Sequence, residues 1–459
     1  MALQDLVERR RATLTRRSPR ESDPGRVTAS TRSLRRALVD RDDFSYILEC
    51  NPHAPWRHPA HTLDPQTVAE RLAPFADALS ISAAPDDIDE SLERMAAIRA
   101  VVDEPIVFCD VIVEDSQISE ARRYGADAVT LLPAALDDEP LSRCLDEARR
   151  LAMDVILLVQ SAEELERALE HDDAIIGIDN RDFERSSFAV ERTTRLAPTV
   201  PDERLVVGFG GIETHRRAVE MRGVVDALVT GESALDSDDF DRQVRRPIFG
   251  RVKVCGLTRP ADAERAWRAG ASYGGLIFAP GSARRVDYAT ARSIVDATPL
   301  DFVGVFVGEP IDEVVCRTEH LSLTAIQLHG HEDNEYVLEL RRRLPDDVEI
   351  WRACHVNQRP PSLEALYADR VLLDNFADGS GSIFDWSVLD AYDPTERRRI
   401  VLGGGITPDN AAHADGFGTW AIDVNLGVET TTGVKNPRLL DRLFSALRGS
   451  KVEATRKLD

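Results

Sequence analysis

Short runs of apolar residues recur along the whole chain, and each is followed by a longer stretch in which apolar and charged positions mix. In the first half the runs are 46–50, 78–82, 106–111, 128–132, 155–159, 175–178, 205–209 and 227–230. In the second half they are 252–257, 273–278, 302–307, 324–328, 350–353, 371–373, 400–402 and 420–424. Each run is apolar almost without a break, as expected of strands buried on both faces of a parallel sheet. Intervening stretches such as 116–124 and 260–269 carry charge on one side, as surface helices do. Strand and helix alternating eight times is the pattern of a (βα)8 barrel, and here it occurs twice. A doubly wound open sheet fits less well, because it stops at fewer strands. The expected fold is therefore α/β, two tandem (βα)8 TIM barrels over 1–248 and 249–448, with a polar, loose tail over 449–459. The chain opens on an amphipathic helix with Leu3, Leu6, Val7 and Leu14 on one side.

Composition agrees with this division. A chain of 459 residues suits two domains of barrel size. The net charge of −23 leaves no basic footprint for nucleic acid, so a DNA or RNA partner is not expected. No apolar run approaches the ~20 residues that span a bilayer, so a membrane is not expected either. The N-terminus carries Asp5 and Glu8 and lacks the apolar core of a secretory signal. Six cysteines (Cys50, Cys109, Cys144, Cys255, Cys316, Cys354) are scattered with no CxxC pair or zinc-type spacing. The reading is a reducing, cytoplasmic setting with no structural metal. A monomer is expected, since a barrel–barrel interface inside the chain removes the need for a dimer.

Barrel chemistry sits at the C-terminal ends of the strands. In the second half those ends read VKVCGLT, GLIFAPGSARRV, LLDNFADGSG, VLGGGITPDN and IDVNLGVE. Cys255, alone at a strand end, is as readily a small buried hydrophobe as a reactive group. Glycines at the ends of strands seven and eight add a second signal, because bare backbone N–H groups there can hold a phosphate. A small phosphorylated substrate is the expected partner.

Taken together, these motifs resemble phosphoribosylanthranilate isomerase over nearly all of the second half. The resemblance rests on KVCGLT at 253–258, GGLIF at 274–278, SARRV at 282–286, GVF at 304–306, QLHG at 327–330, LLDN at 372–375, GSG at 379–381, FDW at 384–386, GGGI at 403–406 and DVNLGVE at 423–429. It implies an Amadori rearrangement of N-(5-phosphoribosyl)anthranilate to 1-(2-carboxyphenylamino)-1-deoxyribulose 5-phosphate, with no cofactor and no metal. It also implies that Cys255 is the base and Asp374 the acid. Arg284 would meet the anthranilate carboxylate and His329 would line the mouth. Gly404, Gly405 and Gly427 would give backbone donors to the phosphate. Ala283 stands where the family usually has Pro, and Asn425 and Leu426 stand where it often has two serines. A related activity on the histidine-pathway aminoaldose would call for paired aspartates, which Cys255 speaks against.

The first half resembles indole-3-glycerol phosphate synthase at fewer places: STRSLRRAL at 30–38, ILEC at 47–50, GIDNRDF at 177–183 and VTGESAL at 229–235. That family needs a lysine general acid, a second lysine at the end of strand one, and glutamates. Here Glu49 remains, but Asn51 stands at the lysine position, Ala54 and Trp56 replace serines, Cys109 stands where the other lysine belongs, and Leu158 aligns with a glutamate. No lysine precedes Lys253, and arginine does not release its proton near neutral pH. Asn180, Gly211, Gly231 and Ser233 still suit an anion. The expectation is an isomerase on a two-barrel chain whose first barrel has lost synthase activity. One alternative is a fully bifunctional enzyme using another acid, His53 or Asp110. A further alternative is a non-catalytic binder of phosphorylated intermediates.

Overall fold

The computed structural model describes residues 3–17, 27–50, 64–84, 87–182, 185, 187–237, 239–356, 361–363, 366–375 and 384–449. Asn51, His53, Ala54 and Trp56, the GSG at 379–381 and the tail from 450 onward lie outside the described residues. The chain parts into two compact units between Ile248 and Phe249.

In the first unit the barrel strands are β1 (Ser45–Glu49), β2 (Ala78–Ser82), β3 (Ile106–Cys109), β4 (Ala128–Leu131), β5 (Asp154–Val159) and β6 (Ile175–Asp179). A two-residue hairpin follows, β7 (Arg181–Asp182) and β8 (Ser187–Phe188), and then β9 (Val206–Phe209) and β10 (Ala227–Thr230) close the ring. In the second unit eight strands run in order around a closed barrel. They are β11 (Val252–Val254), β12 (Tyr273–Ile277), β13 (Asp301–Phe306), β14 (Ala325–Leu328), β15 (Glu349–His355), β16 (Arg370–Asp374), β17 (Ile400–Leu402) and β18 (Ala421–Val424). A short antiparallel pair, β19 (Glu429–Thr431) and β20 (Val434–Lys435), follows the last strand. Each of the sixteen expected apolar runs holds a barrel strand. The two small hairpins had no sequence expectation, because pairs this short carry no periodicity.

Local signals fix the helices between them. Pro260 opens the helix Pro260–Ala269 at its first turn, and Gly270, at φ +130°, ends it. Asp287, Asp333 and Asn436 each accept backbone N–H groups at a helix start. Arg246 does not end the helix Phe240–Phe249. Pro247 sits near its C-terminal end, and the stop comes instead at Gly250 with φ +72°.

Alternation along the strands sorts side chains into layers inside each barrel. The first barrel is filled by Ile47, Val107, Ile156, Val207 and Phe209, and Leu34 and Leu38 pack into the same cluster. The floor of the second is Tyr273, Val303, Ala325, Trp351, Leu372, Val401 and Ala421. Tyr273, Trp351 and Trp420 meet ring to ring at 5.5–5.6 Å. One alternation further toward the C-terminal ends the inward positions change character. They are Lys253, Gly275, Gln327, Asp374 and Asp423, with Cys255, His329, His355 and Asn425 at the mouth.

Candidate active site

In the second barrel the chain leaves the sheet at Cys255, whose N–H still donates to Val424 O at 2.8 Å. Gly256 then turns at φ +69°, which ends the strand three residues before the expected Leu257. A side chain at Gly256 would lie 2.6 Å from Arg284 Cδ and 2.8 Å from Asn425 Oδ1, so its lack of one lets three segments close over the thiol. Burial pushes the Cys255 thiol up, and Lys253 opposes that rise.

Lys253 lies two residues before Cys255 and is fully buried. Its Nζ donates to Asp423 Oδ2 at 2.7 Å, across the β11–β18 register pair. Burial pulls the ammonium down, and Asp423 together with Cys255 more than offsets this, so Lys253 stays cationic. The other oxygen of Asp423, Oδ1, is buried with no hydrogen-bond partner.

Asp374 ends β16, three strands around the ring from β11. Its Oδ1 accepts from the Asn375 N–H at 2.7 Å. Burial, and then the nearby Asp423, push its pKa up to about 6. Gly404, at φ +80°, lies against it, and a methyl there would be 2.6 Å from Asp374 Oδ1. Gly405, at φ +70°, gives its carbonyl to Asn410 Nδ2 at 3.0 Å. Gly427 packs on the Ile406 carbonyl so closely that a Cβ would stand 2.0 Å from its oxygen. The glycine loops thus pack against each other and against the carboxyl.

His329 Nδ1 lies 2.9 Å from the side-chain amide of Gln327. Burial, aided by the Lys253 charge, pulls its pKa down to about 4, so the ring is neutral at pH 7. Arg284 is held by Glu429 through two contacts, Nε–Oε1 at 2.9 Å and Nη2–Oε2 at 2.7 Å. This differs from an arginine waiting in solvent. Lys435 donates to Glu429 Oε1 at 2.9 Å and to Asn425 Oδ1 at 2.9 Å. Asn425 is therefore a ligand of a lysine, which accounts for an amide where a phosphate-contacting serine was expected. Sequence reasoning passed over Lys253, Asp423, Glu429 and Lys435. The readable signal was a lysine breaking the apolar run VKV, with its alternation partner at Cys255.

At the mouth of the first barrel Glu49 is buried and accepts from Ser80 Oγ at 3.1 Å and Ser82 Oγ at 3.0 Å. Burial, reinforced by Glu49, pushes the Cys109 thiol well above its usual range. Asn180 donates to Gly210 O at 3.2 Å and accepts from Thr193 Oγ1 at 2.9 Å, tying two strand ends together. Gly211, at φ +77°, is covered: a side chain there would meet Phe188 Cβ at 2.8 Å and Val190 Cγ2 at 2.9 Å. Gly231, at φ +101°, rests on the Glu49 backbone, and the side chain of Ser233 lies outside what is described. Asp110, one alternative acid, is instead a buried ion-pair partner, 2.5 Å from Arg10 of the first helix and 2.9 Å from Gln117 Nε2. An N-terminal helix bearing a buried arginine consumes that carboxylate.

Comparison with known proteins extends over both units. The family model described as N-(5'phosphoribosyl)anthranilate (PRA) isomerase matches residues 252–446, and the indole-3-glycerol phosphate synthase model matches residues 3–246. The "tryptophan biosynthesis protein TrpCF" of Yersinia pestis is 37% identical over 425 residues, 92% of this chain and 88% of that protein. Its namesake from Salmonella typhi is 36% identical, covering 94% of each. A crystal structure of phosphoribosyl anthranilate isomerase from Thermus thermophilus is 35% identical over 43% of this chain and 98% of that one, with a TM-score of 0.40. The first-half resemblance, which looked patchy by motif, thus extends over residues 3–246 as a match to the synthase family, and the view of that barrel as a mere remnant is corrected. Among the described residues no helix is long and apolar enough to cross a membrane. With both halves matched and the relatives covered over most of their length, the chain belongs to the bifunctional indole-3-glycerol phosphate synthase/phosphoribosylanthranilate isomerase family of tryptophan biosynthesis.

Proposed function

We propose that the second barrel isomerises N-(5-phosphoribosyl)anthranilate, with Asp374 as acid and Cys255 as base. The observation that carries this is the pairing of a carboxyl raised to about 6 with a buried thiol, on strands three apart at one barrel mouth. In this reading the Asp374 carboxyl protonates the furanose oxygen as the ring opens to a Schiff base. The Cys255 thiolate then removes the proton from sugar C2. One group loses a proton and the other gains one, and exchange with solvent resets the pair. The carboxylate of the substrate competes with Glu429 for Arg284, and the phosphate takes backbone N–H groups at Gly404, Gly405 and Gly427. The expected setting is the reducing cytoplasm, which keeps Cys255 a thiol. Purified chain should turn the substrate over, and Cys255→Ala should lower kcat by roughly 10² or more while the fold is kept. Turnover within a few-fold of the parent would remove Cys255 from the mechanism.

A second reading adds the synthase reaction in the first barrel. The comparisons favour it over an isomerase acting alone, because the synthase match runs from residue 3 to residue 246. No lysine is present there, so a different proton donor is required. Cys109 stands at the family's lysine position, and burial keeps its thiol protonated beside Glu49. Growth of a synthase-deficient tryptophan auxotroph carrying this chain supports the second reading, and failure to grow supports an isomerase alone.

A further inference from the structure

Of the 57 lysines and arginines in this chain only four are lysine. Lys451 and Lys457 lie beyond the described residues, and the other two, Lys253 and Lys435, are 0% and 2% exposed. Elsewhere among the described residues the chain buries cations as arginine, at Arg10, Arg204, Arg245 and Arg448. Among the described residues lysines are buried only in the mouth of the second barrel, and the charges of both bear on one thiol. A methyl at Gly275 would lie 2.7 Å from Cys255 Sγ and 3.1 Å from Lys253 Cε, so thiol and lysine stem share one wall. Lys435 reaches in from β20 and holds Asn425, whose Oδ1 is the atom packed against Gly256, next to Cys255.

Resting on the isomerase reading above, we propose that Lys253 and Lys435 are positioning residues that favour ionisation of the buried Cys255 thiol, and that the two sites take lysine because a compact ammonium fits where a guanidinium does not. An ammonium is a point charge on a slim stem, whereas a guanidinium is a broad planar fork. The charges facing the thiol balance as follows. Lys253 on β11, Lys435 on β20 and Arg284 after β12 are positive. Asp423 on β18 opposes them and is matched by Lys253, and Glu429 on β19 is shared between Lys435 and Arg284. Asp374 and His329 lie further round the mouth, and the histidine is neutral. Each lysine therefore lowers the cost of ionising a thiol that burial disfavours.

The test is the pH dependence of Cys255 alkylation by iodoacetamide in the intact, substrate-free chain, read peptide by peptide by mass spectrometry. Cys316, exposed on a surface helix, is the internal reference in the same sample. In Lys435→Met, Glu429 keeps Arg284 as a partner, so the fold is expected to survive. Lys253→Met is the second variant, and circular dichroism and thermal melting check both. The expected result is a Cys255 alkylation rate at pH 8 that falls about tenfold or more in each variant, with Cys316 unchanged, since one unit of thiol pKa is a tenfold change in thiolate. An unmoved Cys255 profile in either folded variant overturns the assignment for that lysine, and if Lys253→Met does not fold, Lys435→Met decides the proposal. Because no substrate is used, loss of the isomerase reading and loss of this one are separable. Turnover surviving in Cys255→Ala would sink the first and leave the alkylation result standing.

Discussion

A single carboxyl carries two opposed demands in the second barrel. Asp374 is raised from 3.8 to about 6 by burial and by Asp423, so the fold favours its protonated form. For a carboxyl raised on folding, stability is highest below pH 3.8 and is lost as pH rises through about 6. Asp374→Asn should therefore abolish most turnover and yet stabilise the chain at pH 7–8 by on the order of 1–3 kcal/mol, with the gain gone near pH 4. Urea melts of the two proteins at both pH values would check this; equal stability at pH 7 would mean the carboxyl is not strained. The kinetic counterpart is an inverted pair of limbs. With the acid titrating below the base, kcat/KM should rise with pH up to a limb near 6 that belongs to Asp374 and fall beyond a higher limb that belongs to Cys255. Cys255 and Asp374 were legible in the sequence because both lie in motifs at strand ends. Lys253 and Asp423 stand in the same motifs, but their pairing was not legible, since it arises from burial and cross-strand register, which short apolar runs do not encode, and Lys435 lies outside those motifs.

Elements position these groups, and most were readable. The helix Pro260–Ala269 was anticipated residue for residue, because Pro at its start and Gly past its end mark both boundaries. The first helix was anticipated as amphipathic, but its strongest anchor is polar. Arg10 is buried against Asp110 at 2.5 Å, and Arg10 also donates to Ala84 O at 3.1 Å. A pattern of apolar positions assigns an arginine to solvent, so this contact was invisible in advance. Removing one partner leaves an uncompensated buried charge. Arg10→Met should cost the first unit about 3–5 kcal/mol in denaturant unfolding, and Arg10→Met/Asp110→Asn should recover much of that loss. A single variant as stable as the parent would show that the helix is held by Leu6 and Val7 alone.

At the scale of the whole chain, charge and relatedness say different things. A net charge of −23 disfavours the compact state through self-repulsion, and salt relieves it. Raising NaCl from about 0.1 to about 1 M, where the Debye length shrinks from ~10 to ~3 Å, should raise the Tm. A Tm that falls would mean the surface Arg–carboxylate pairs outweigh the repulsion. The two-barrel architecture was legible from periodicity alone, whereas the standing of the first barrel was not. Local motifs there depart from the family at Asn51, Cys109 and Leu158, while the match to the synthase family extends over residues 3–246. The central claim, isomerisation at Cys255 and Asp374, is tested most directly by growth without tryptophan of an isomerase-deficient strain. The intact chain is expected to restore growth and Cys255→Ala is not; growth restored equally by both, or by neither, would contradict the account.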